Sequence, residues 1–565
     1  MRGNSKQKYV ICQATFGIPF GPFELTPRLE HCAPTFTFMT TIGFYHPHCA
    51  QGGGGERVLW KIIESLVTSS LTDGSILDPS NPKSLKNIVI YTCDNMDKDK
   101  IFEDVATKFG INVKRSSKES VNSGLNFVQI STVVVPGGES LIDPCSYPRL
   151  TMLRQMLGGS NFLSQALKIS GSEGHSFPDI FFDTTGCAWT HGVIKGGIFR
   201  CFMRMKTAKV FTYTHYPTIS TDMLNMVYER RFSYNNSEEI SASKIKNAVK
   251  LLYYIFFALL YSFYGRLADV VVANSSWTAG HIERIWRPRG GVNVLWPPCN
   301  AKGFGEISMN KEGRENLILS IGQFRPEKDH ALQIKSFARL LKMKPKPPRD
   351  TRLILLGGCR GEEDEKRVED LRRLCKELKC EKSVEFVLNQ PFSVLKDYLA
   401  RSSIGIHSMW NEHFGIGVVE MLAAGLVTIA HDSGGPRADI IGPGHPGEAG
   451  SILETGFLAS TEEEYASKMH YVMTGMGDDE IASLRKAAML SSMKFDDAEF
   501  DGRFLELFLK HTKEFNCSRS GTVESGRGRG RKEAKAETVV GNGGGGKSSS
   551  RTSSRSRSRS KAKKS

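Results

Sequence analysis

Between residues 404 and 440 the chain reads as apolar strand, polar loop, short apolar helix, apolar strand and a Gly-Gly loop: IGIHSMWNEHFGIGVVEMLAAGLVTIAHDSGGPRADI. Residues 404–409 and 426–431 are compact apolar runs of strand length, and residues 415–424 have helical character. Strand and helix patterns alternate in this way along most of the chain. Strand-like runs stand at 40–45, 87–92, 126–135, 179–183, 208–214 and 269–273, and a second series stands at 316–321, 351–356, 383–388, 404–409 and 426–430. Such alternation demands parallel sheets covered by helices on both faces, an α/β architecture. Trp296-Pro297-Pro298-Cys299 falls between the two series and reads as a stiff linker, because paired prolines stop a strand.

The expected organisation is therefore a poorly ordered stretch over 1–38, a first Rossmann-like domain over 39–296, and a second over 297–515 that ends in a closing helix at 501–515. A Gly-, Ser- and Arg-rich tail over 516–565 follows and lacks the apolar residues to build a core. A chain of 565 residues exceeds what a single core supports, which agrees with two domains. The net charge of +15 resembles a nucleic-acid signature until it is located. Residues 516–565 hold fourteen Lys or Arg against three Asp or Glu, so +11 sits in the tail and about +4 is left for the body. The body has no basic platform interleaved with aromatics, so binding of RNA would be confined to the tail, which also suits acidic lipid heads.

Twelve cysteines are scattered without a C-x-x-C pair or a His-Cys cluster at zinc spacing, which implies reduced thiols and gives no support to a metal site. Asp97-Lys98-Asp99 imitates a D-x-D metal motif, but it stands in a polar loop without further ligands. The most lipid-like stretch is LLYYIFFALLYSFY at 251–264, preceded by Lys244, Lys246 and Lys250 and followed by Arg266. Fourteen such residues are too few to cross a bilayer upright; they suit either a helix lying in the membrane interface or a buried core helix.

The candidate site residues lie where strands give way to helices. In the 404–440 stretch, Glu412 falls in the loop and Glu420 on the helix. Gly415 and Gly417 remove side chains at a helix mouth whose free amides attract anions. After the first strand of the second series, Gly322 opens a loop carrying Arg325 and Lys328, cations suited to phosphate oxygens. In the first series, Gly52, Gly53, Gly54 and Gly55 separate a strand from an amphipathic helix, either as a ligand-approach loop or as a flexible turn. His215 follows the carboxyl end of the 208–214 strand, where ligands bind in open α/β sheets; His191 is a weaker candidate of the same kind. Carboxylates for hydroxyls and a helix N-terminus for phosphate together suit a sugar joined to a diphosphate.

The E-x7-E spacing of Glu412 and Glu420 resembles the signature of retaining glycosyltransferases of the GT-B type, with two Rossmann-like domains facing across a cleft. The blocks HPHCAQGGGGERVLW, DIFFDTTGCAWT, TYTHYPTIS, VVANSSWT, SIGQFRPEKDH and MWNEHFGIGVVEMLAAG extend the likeness over roughly residues 40–515. They resemble the endoplasmic-reticulum α-1,2-mannosyltransferases that build the lipid-linked oligosaccharide for N-glycosylation. That resemblance implies GDP-mannose as donor, no metal, and a dolichol-diphosphate trimannosyl-chitobiose acceptor that receives its fourth and fifth mannoses. It also implies work on the cytosolic face of the endoplasmic reticulum membrane, with other early mannosyltransferases of the pathway as candidate partners. Carried over by position, Glu420 would hold the ribose, Glu412 the mannose hydroxyls, Arg325 and Lys328 the diphosphate, and His215 the sugar. Gly53, Gly54, Gly55, Gly322, Phe414, Gly415, Gly434 and Gly435 would line the donor. Family members commonly begin with a transmembrane anchor, which residues 1–38 do not resemble, so attachment is expected through the 251–264 helix and the tail unless the native N-terminus differs. The rival readings are a soluble GT-B enzyme with sucrose-like or glycogen-like acceptors and an RNA-associated protein acting through its Arg-Ser tail. Deleting residues 516–565 should barely change turnover on a soluble acceptor analogue; loss of all function on that deletion would favour the RNA reading.

Overall fold

The computed structural model describes residues 40–69, 77, 84–113, 128–147, 149–196, 208–229, 243–309, 314–446 and 452–517. The body formed by the two sheets lies within one compact unit, Met1–Glu514, whereas the tail at 518–565 lies outside the described residues. The first sheet contains β1 (Thr40–Tyr45), β2 (Leu85–Thr92), β3 (Gln129–Val134), β4 (Ile180–Asp183), β5 (Lys209–Thr214), β6 (Val270–Ala273) and β7 (Val292–Val294) in the order 3-2-1-4-5-6-7. The second contains β8 (Glu315–Ile321), β9 (Arg352–Gly357), β10 (Val384–Leu388), β11 (Ser402–His407), β12 (Val427–His431) and β15 (Phe457–Ala459) in the order 10-9-8-11-12-15. Every pairing within these sheets is parallel. A small antiparallel hairpin, β13 (His445–Pro446) with β14 (Ile452–Leu453), stands apart.

Central strands such as β1 and β12 are buried at every residue, because helices cover both sheet faces; this is why they read as continuous apolar runs rather than alternating ones. Strand order reverses between β1 and β4 and between β8 and β11. At such switch points the loops leaving neighbouring strands diverge and open a crevice at the carboxyl edge of the sheet. The glycine loop follows β1, the Arg325–Lys328 loop follows β8, and the Glu412 loop follows β11. β7, β15 and the hairpin escaped sequence reading because they are only two or three residues long, too short to show a period.

Two expectations change. The closing helix runs Asp497–Cys517, and its Phe500, Phe504 and Phe508 are buried in the first domain's core rather than the second's. Phe504 and Phe508 meet Phe182 of β4 at centroid distances of 6.3 and 6.1 Å. The aromatic helix spans Lys244–Gly265, 22 residues, so it is long enough to cross a membrane and the argument from length fails. Packing replaces that argument. Tyr254, Phe257 and Tyr261 are buried against Trp189 and Trp286, and the Tyr261 hydroxyl donates to the Gly186 carbonyl at 3.0 Å. The helix is thus held along one face by its own domain, while its opposite face is exposed.

Phe504→Ala removes an aromatic ring from the first core at a helix contributed from across the linker. It should lower stability by about 3–5 kcal/mol in urea unfolding, with amides of the first sheet losing exchange protection before those of the second.

Candidate functional site

The two switch points face one another. A Cβ on Gly54, in the first turn of the helix Gly54–Thr68, would lie 2.9 Å from Ile416 Cδ1, in the first turn of the helix Ile416–Ala423. The helix N-termini of both domains thus meet across the cleft. Around Gly53 to Gly55 the loop is held by its neighbours. The Gly53 amide donates to Glu56 Oε2 at 2.6 Å, Glu56 lies 3.8 Å from His46 Nε2, and His46 Nδ1 is 2.7 Å from the Thr184 hydroxyl. Gly55 lies beneath His215: a Cβ there would be 3.5 Å from His215 Nε2. That nitrogen is buried and has no hydrogen-bond partner among the described residues. Burial, and then the neighbouring His46, push the imidazole down to about 4, so it stands neutral in the cleft with one nitrogen free.

The second domain contributes charge. Lys328 Nζ is 2.5 Å from Glu412 Oε2 and 3.2 Å from Met409 Sδ, and His407 Nε2 reaches the same carboxylate oxygen at 3.0 Å. Burial by itself would raise the Glu412 carboxyl, but the Lys328 ammonium and His407 hold it well below the usual range. Its second oxygen accepts the His413 amide at 3.1 Å. Glu412 is thus an ionised, acceptor-only group at the cleft, and it fixes the position of the Lys328 ammonium. Arg325 is exposed three residues away, with no ion pair among the described residues. Gly322 lies alongside the Lys328 stem, where a Cβ would be 3.6 Å from its methylenes.

Glu420, one helix turn inside Ile416–Ala423, is partly buried, and its carboxylate has no hydrogen bond or ion pair among the described residues. Burial pushes it up to about 7, against a smaller downward pull from the Arg57 guanidinium. The E-x7-E pair therefore holds two carboxylates in opposite states, one paired and ionised, the other unpartnered and titrating near neutrality.

The glycines divide by role. Gly415 has φ +108 at the mouth of its helix, a conformation few other residues adopt. Gly434 and Gly435 are required by a close approach of loops: Cβ atoms there would lie 2.2 Å from the Glu412 carbonyl and 2.4 Å from the Phe414 carbonyl. The Gly435 amide donates to that Glu412 carbonyl at 2.8 Å. The Phe414 side chain is buried in the second core against Phe495, which leaves only its backbone to meet a donor.

His191 has partners for both ring nitrogens, Asp183 Oδ2 at 3.2 Å and the Tyr264 carbonyl at 3.3 Å, and is fully buried, a structural placement. Asp97 caps the helix Lys98–Phe109 by accepting the Asp99 amide, so the D-x-D imitation is a helix start.

Residues that spacing could not reveal complete the cleft. Asp439 of the second domain accepts the Ser276 amide at 2.8 Å and its hydroxyl at 2.5 Å, capping the first-domain helix Ser276–Trp286 from across the interface. Asn411 donates to Asp222 at 2.8 Å, and Tyr216 stacks on His413 at 4.0 Å. Ser276 belongs to the VVANSSWT block, Tyr216 to TYTHYPTIS, and Asn411 and His413 to MWNEHFGIGVVEMLAAG, the sequence signals that pointed there. Beside the glycine loop, His48, Cys93 and Asp94 come together with potential ligand atoms within 4.8 Å, metal-ligand residue types that 45 residues of sequence had kept apart. Asp94 also accepts the Ala50 amide at 2.8 Å and lies 3.6 Å from His48 Nδ1, and its carboxylate is the main cause that raises that imidazole to about 10, so the group pins the loop as an ion pair.

Residues 39–286 match the family described as ALG11 mannosyltransferase N-terminus, and residues 306–487 match Glycosyl transferases group 1. The chain is 39% identical over 471 residues to the GDP-Man:Man(3)GlcNAc(2)-PP-Dol alpha-1,2-mannosyltransferase of Homo sapiens, covering 82% of this chain and 85% of that one. The enzyme of the same name from Dictyostelium discoideum is 36% identical over 473 residues, covering 82% and 84%. Among solved structures, the sucrose-phosphate synthase of Thermosynechococcus elongatus superposes with a TM-score of 0.54 at 14% identity, covering 85% of this chain and all of that one. A trehalose-phosphate synthase from Burkholderia xenovorans gives 0.53 at 11% identity, covering 84% and 99%. These two likenesses show the fold, which is GT-B. Similarity to the mannosyltransferases runs through both domains, so the chain belongs to the GDP-Man:Man(3)GlcNAc(2)-PP-Dol alpha-1,2-mannosyltransferase family.

Proposed function

We propose that this chain transfers mannose from GDP-mannose, with retention, to a dolichol-diphosphate-linked Man(3)GlcNAc(2) acceptor, adding the fourth and fifth residues through α-1,2 links. The reading extends to the cytosolic face of the endoplasmic reticulum membrane. The observation that carries it is the convergence, in one cleft between two switch points, of the Lys328–Glu412 pair, the unpartnered Glu420 and the unpartnered His215 Nε2. Rival acceptors and the RNA reading are not favoured, because identity to mannosyltransferases extends over 82% of the chain.

In this reading Glu420 accepts the ribose hydroxyls. Lys328 and Arg325 bind the diphosphate without a metal, and the glycine loop lets backbone amides approach the donor. Glu412 accepts mannose hydroxyls, and His215 donates or accepts at the sugar through its free nitrogen. The acceptor hydroxyl attacks the anomeric carbon on the face the diphosphate leaves. As the bond to the diphosphate oxygen breaks and the new glycosidic bond forms, the acceptor proton passes to the departing phosphate oxygen. Rate then comes from alignment and from stabilising the charge that grows on the diphosphate.

The direct test is incubation with labelled GDP-mannose and the trimannosyl lipid acceptor, followed by linkage analysis. Two α-1,2 mannoses are expected, and products with any other linkage or sugar would overturn the reading. Glu412→Gln and Lys328→Ala should each lower turnover by about 10²–10³ while circular dichroism stays native. Lys328→Ala should also unfold at lower temperature, since it strands a buried carboxylate. Unchanged transfer by either variant removes its residue from the mechanism.

Glu420 predicts a pH dependence. Its folded-state value, about 7, lies above the ordinary 4.5. The protonated form therefore contributes stability that is fully present below about 4.5 and lost as pH rises to about 7. Thermal unfolding of Glu420→Gln should gain on the native protein across that window. Donor binding needs the ionised carboxylate, so KM for GDP-mannose should rise as pH falls below about 7. In Glu420→Gln it should be high and flat with pH. An equal pH profile in both proteins would detach Glu420 from the donor.

A further inference from the structure

The aromatic helix Lys244–Gly265 leaves one face uncovered. Ile245, Val249, Leu252, Phe256, Leu259 and Phe263 recur every three or four residues along it and are each more than half exposed. That spacing places them on a single stripe of the helix. Soluble proteins rarely leave so continuous an apolar ridge in water unless something docks there. Beside the ridge, a groove of about 450 Å³ opens between this helix and the helices Thr221–Tyr228 and Ser276–Trp286. Leu224, Ile255, Leu259 and Ile285 line its apolar length, and Arg266, Arg284 and Arg287 also line it, with no acidic side chain among the described lining residues. Arg266 is anchored by donating its Nε to the Trp286 carbonyl at 2.8 Å. Arg284 and Arg287 are exposed and carry no ion pair among the described residues.

We propose that this groove seats the diphosphate and the first hydrocarbon units of a lipid-linked acceptor while the ridge lies in the bilayer interface. The proposal rests on the transferase reading above and names where its acceptor is held. Guanidinium groups suit a diphosphate because their forked donors match its oxygens, and the apolar lining takes the chain that follows. Membrane immersion of the ridge then presents the lipid from its own bilayer. The groove adjoins the cleft: Thr221 lines the groove, while its neighbours Ser220 and Asp222 line the crevice with Asn411 and His413. A glycan attached to the diphosphate thus passes one turn of the helix Thr221–Tyr228 to reach Gly53–Gly55 and His215. A structural role, neutralising helix C-termini, suits the placement of Arg266, Arg284 and Arg287 at two helix ends, but does not account for the absence of acidic side chains among the described lining residues.

The test is vesicle flotation of the full chain, together with kinetics. Wild type should float with phosphatidylcholine vesicles and float several-fold more when they carry a polyprenyl diphosphate. Leu259→Glu/Phe263→Glu changes exposed positions only and should lose flotation with both. Arg284→Glu/Arg287→Glu should keep basal flotation, lose the diphosphate preference and raise KM for the lipid acceptor about tenfold or more with kcat within about twofold. Native melting temperatures for both variants confirm folding. The proposal is overturned if the arginine variant keeps the preference and KM. It is also overturned if phosphatidylserine enhances wild-type flotation as much as the polyprenyl diphosphate does, since the groove would then read only surface charge. Wild-type transfer to a water-soluble acceptor reports separately on the transferase reading: its failure alongside diphosphate-selective flotation would sink the activity and not the groove.

Discussion

The cleft depends on one carboxylate at the place where the chain changes domain. Asp497 accepts from Arg57 of the glycine-loop helix at 3.1 Å and from the amide of Asn300, just past the linker, at 2.9 Å. The Cys299 amide donates to the Phe495 carbonyl at 3.0 Å, and Trp296 packs edge-on against Phe495. The chain crosses between domains at residues 295–300 and returns at 493–497, and these contacts tie both crossings to the first turns of the helix that carries the glycine loop. Two parallel sheets have their ligand-binding edges at the carboxyl ends of their strands. Those edges form one site only if the domains are held facing, which is what a doubled crossing at one point achieves.

Within the cleft, charge is distributed unequally by design of the surroundings. Glu412 is stripped of water but compensated by Lys328 and His407, so it stays ionised at any physiological pH. Glu420 is partly buried, with only the weaker pull of Arg57 against that burial, so its proton is held more tightly. His215 is buried beside His46 and stays neutral. One cleft thereby holds a fixed anion, a titratable carboxyl, a neutral imidazole and a positioned ammonium. The aromatic helix adds a second polarity: a face fastened to tryptophans by its rings and an exposed apolar face.

The E-x7-E spacing, the glycine loop and the cations after β8 were legible from sequence, because each combines a residue type with a strand-to-helix junction. Phe414 and the Gly434–Gly435 pair were visible as motif members, but their roles lie largely in packing loop against loop, which spacing alone does not distinguish from ligand contact. Asp439, Asp222, Asn411 and the His48–Cys93–Asp94 group carried little or no local signal. Their partners lie tens to hundreds of residues away, and no period or spacing encodes such a contact. The aromatic helix was under-read in length because its first two turns carry lysines, which break an apolar run without breaking a helix.

What the sequence alone determined is the α/β alternation, the two domains, and the residue chemistry available at the strand ends; local propensity and hydrophobic pattern suffice for these, since they are written in neighbouring residues. Only the tertiary structure decided which strand ends face each other, which of two equally acidic glutamates meets a cation, and to which domain the last helix returns. Those depend on burial and on distances between groups far apart in the chain, and burial sets the state of a charge only once the whole fold has closed around it.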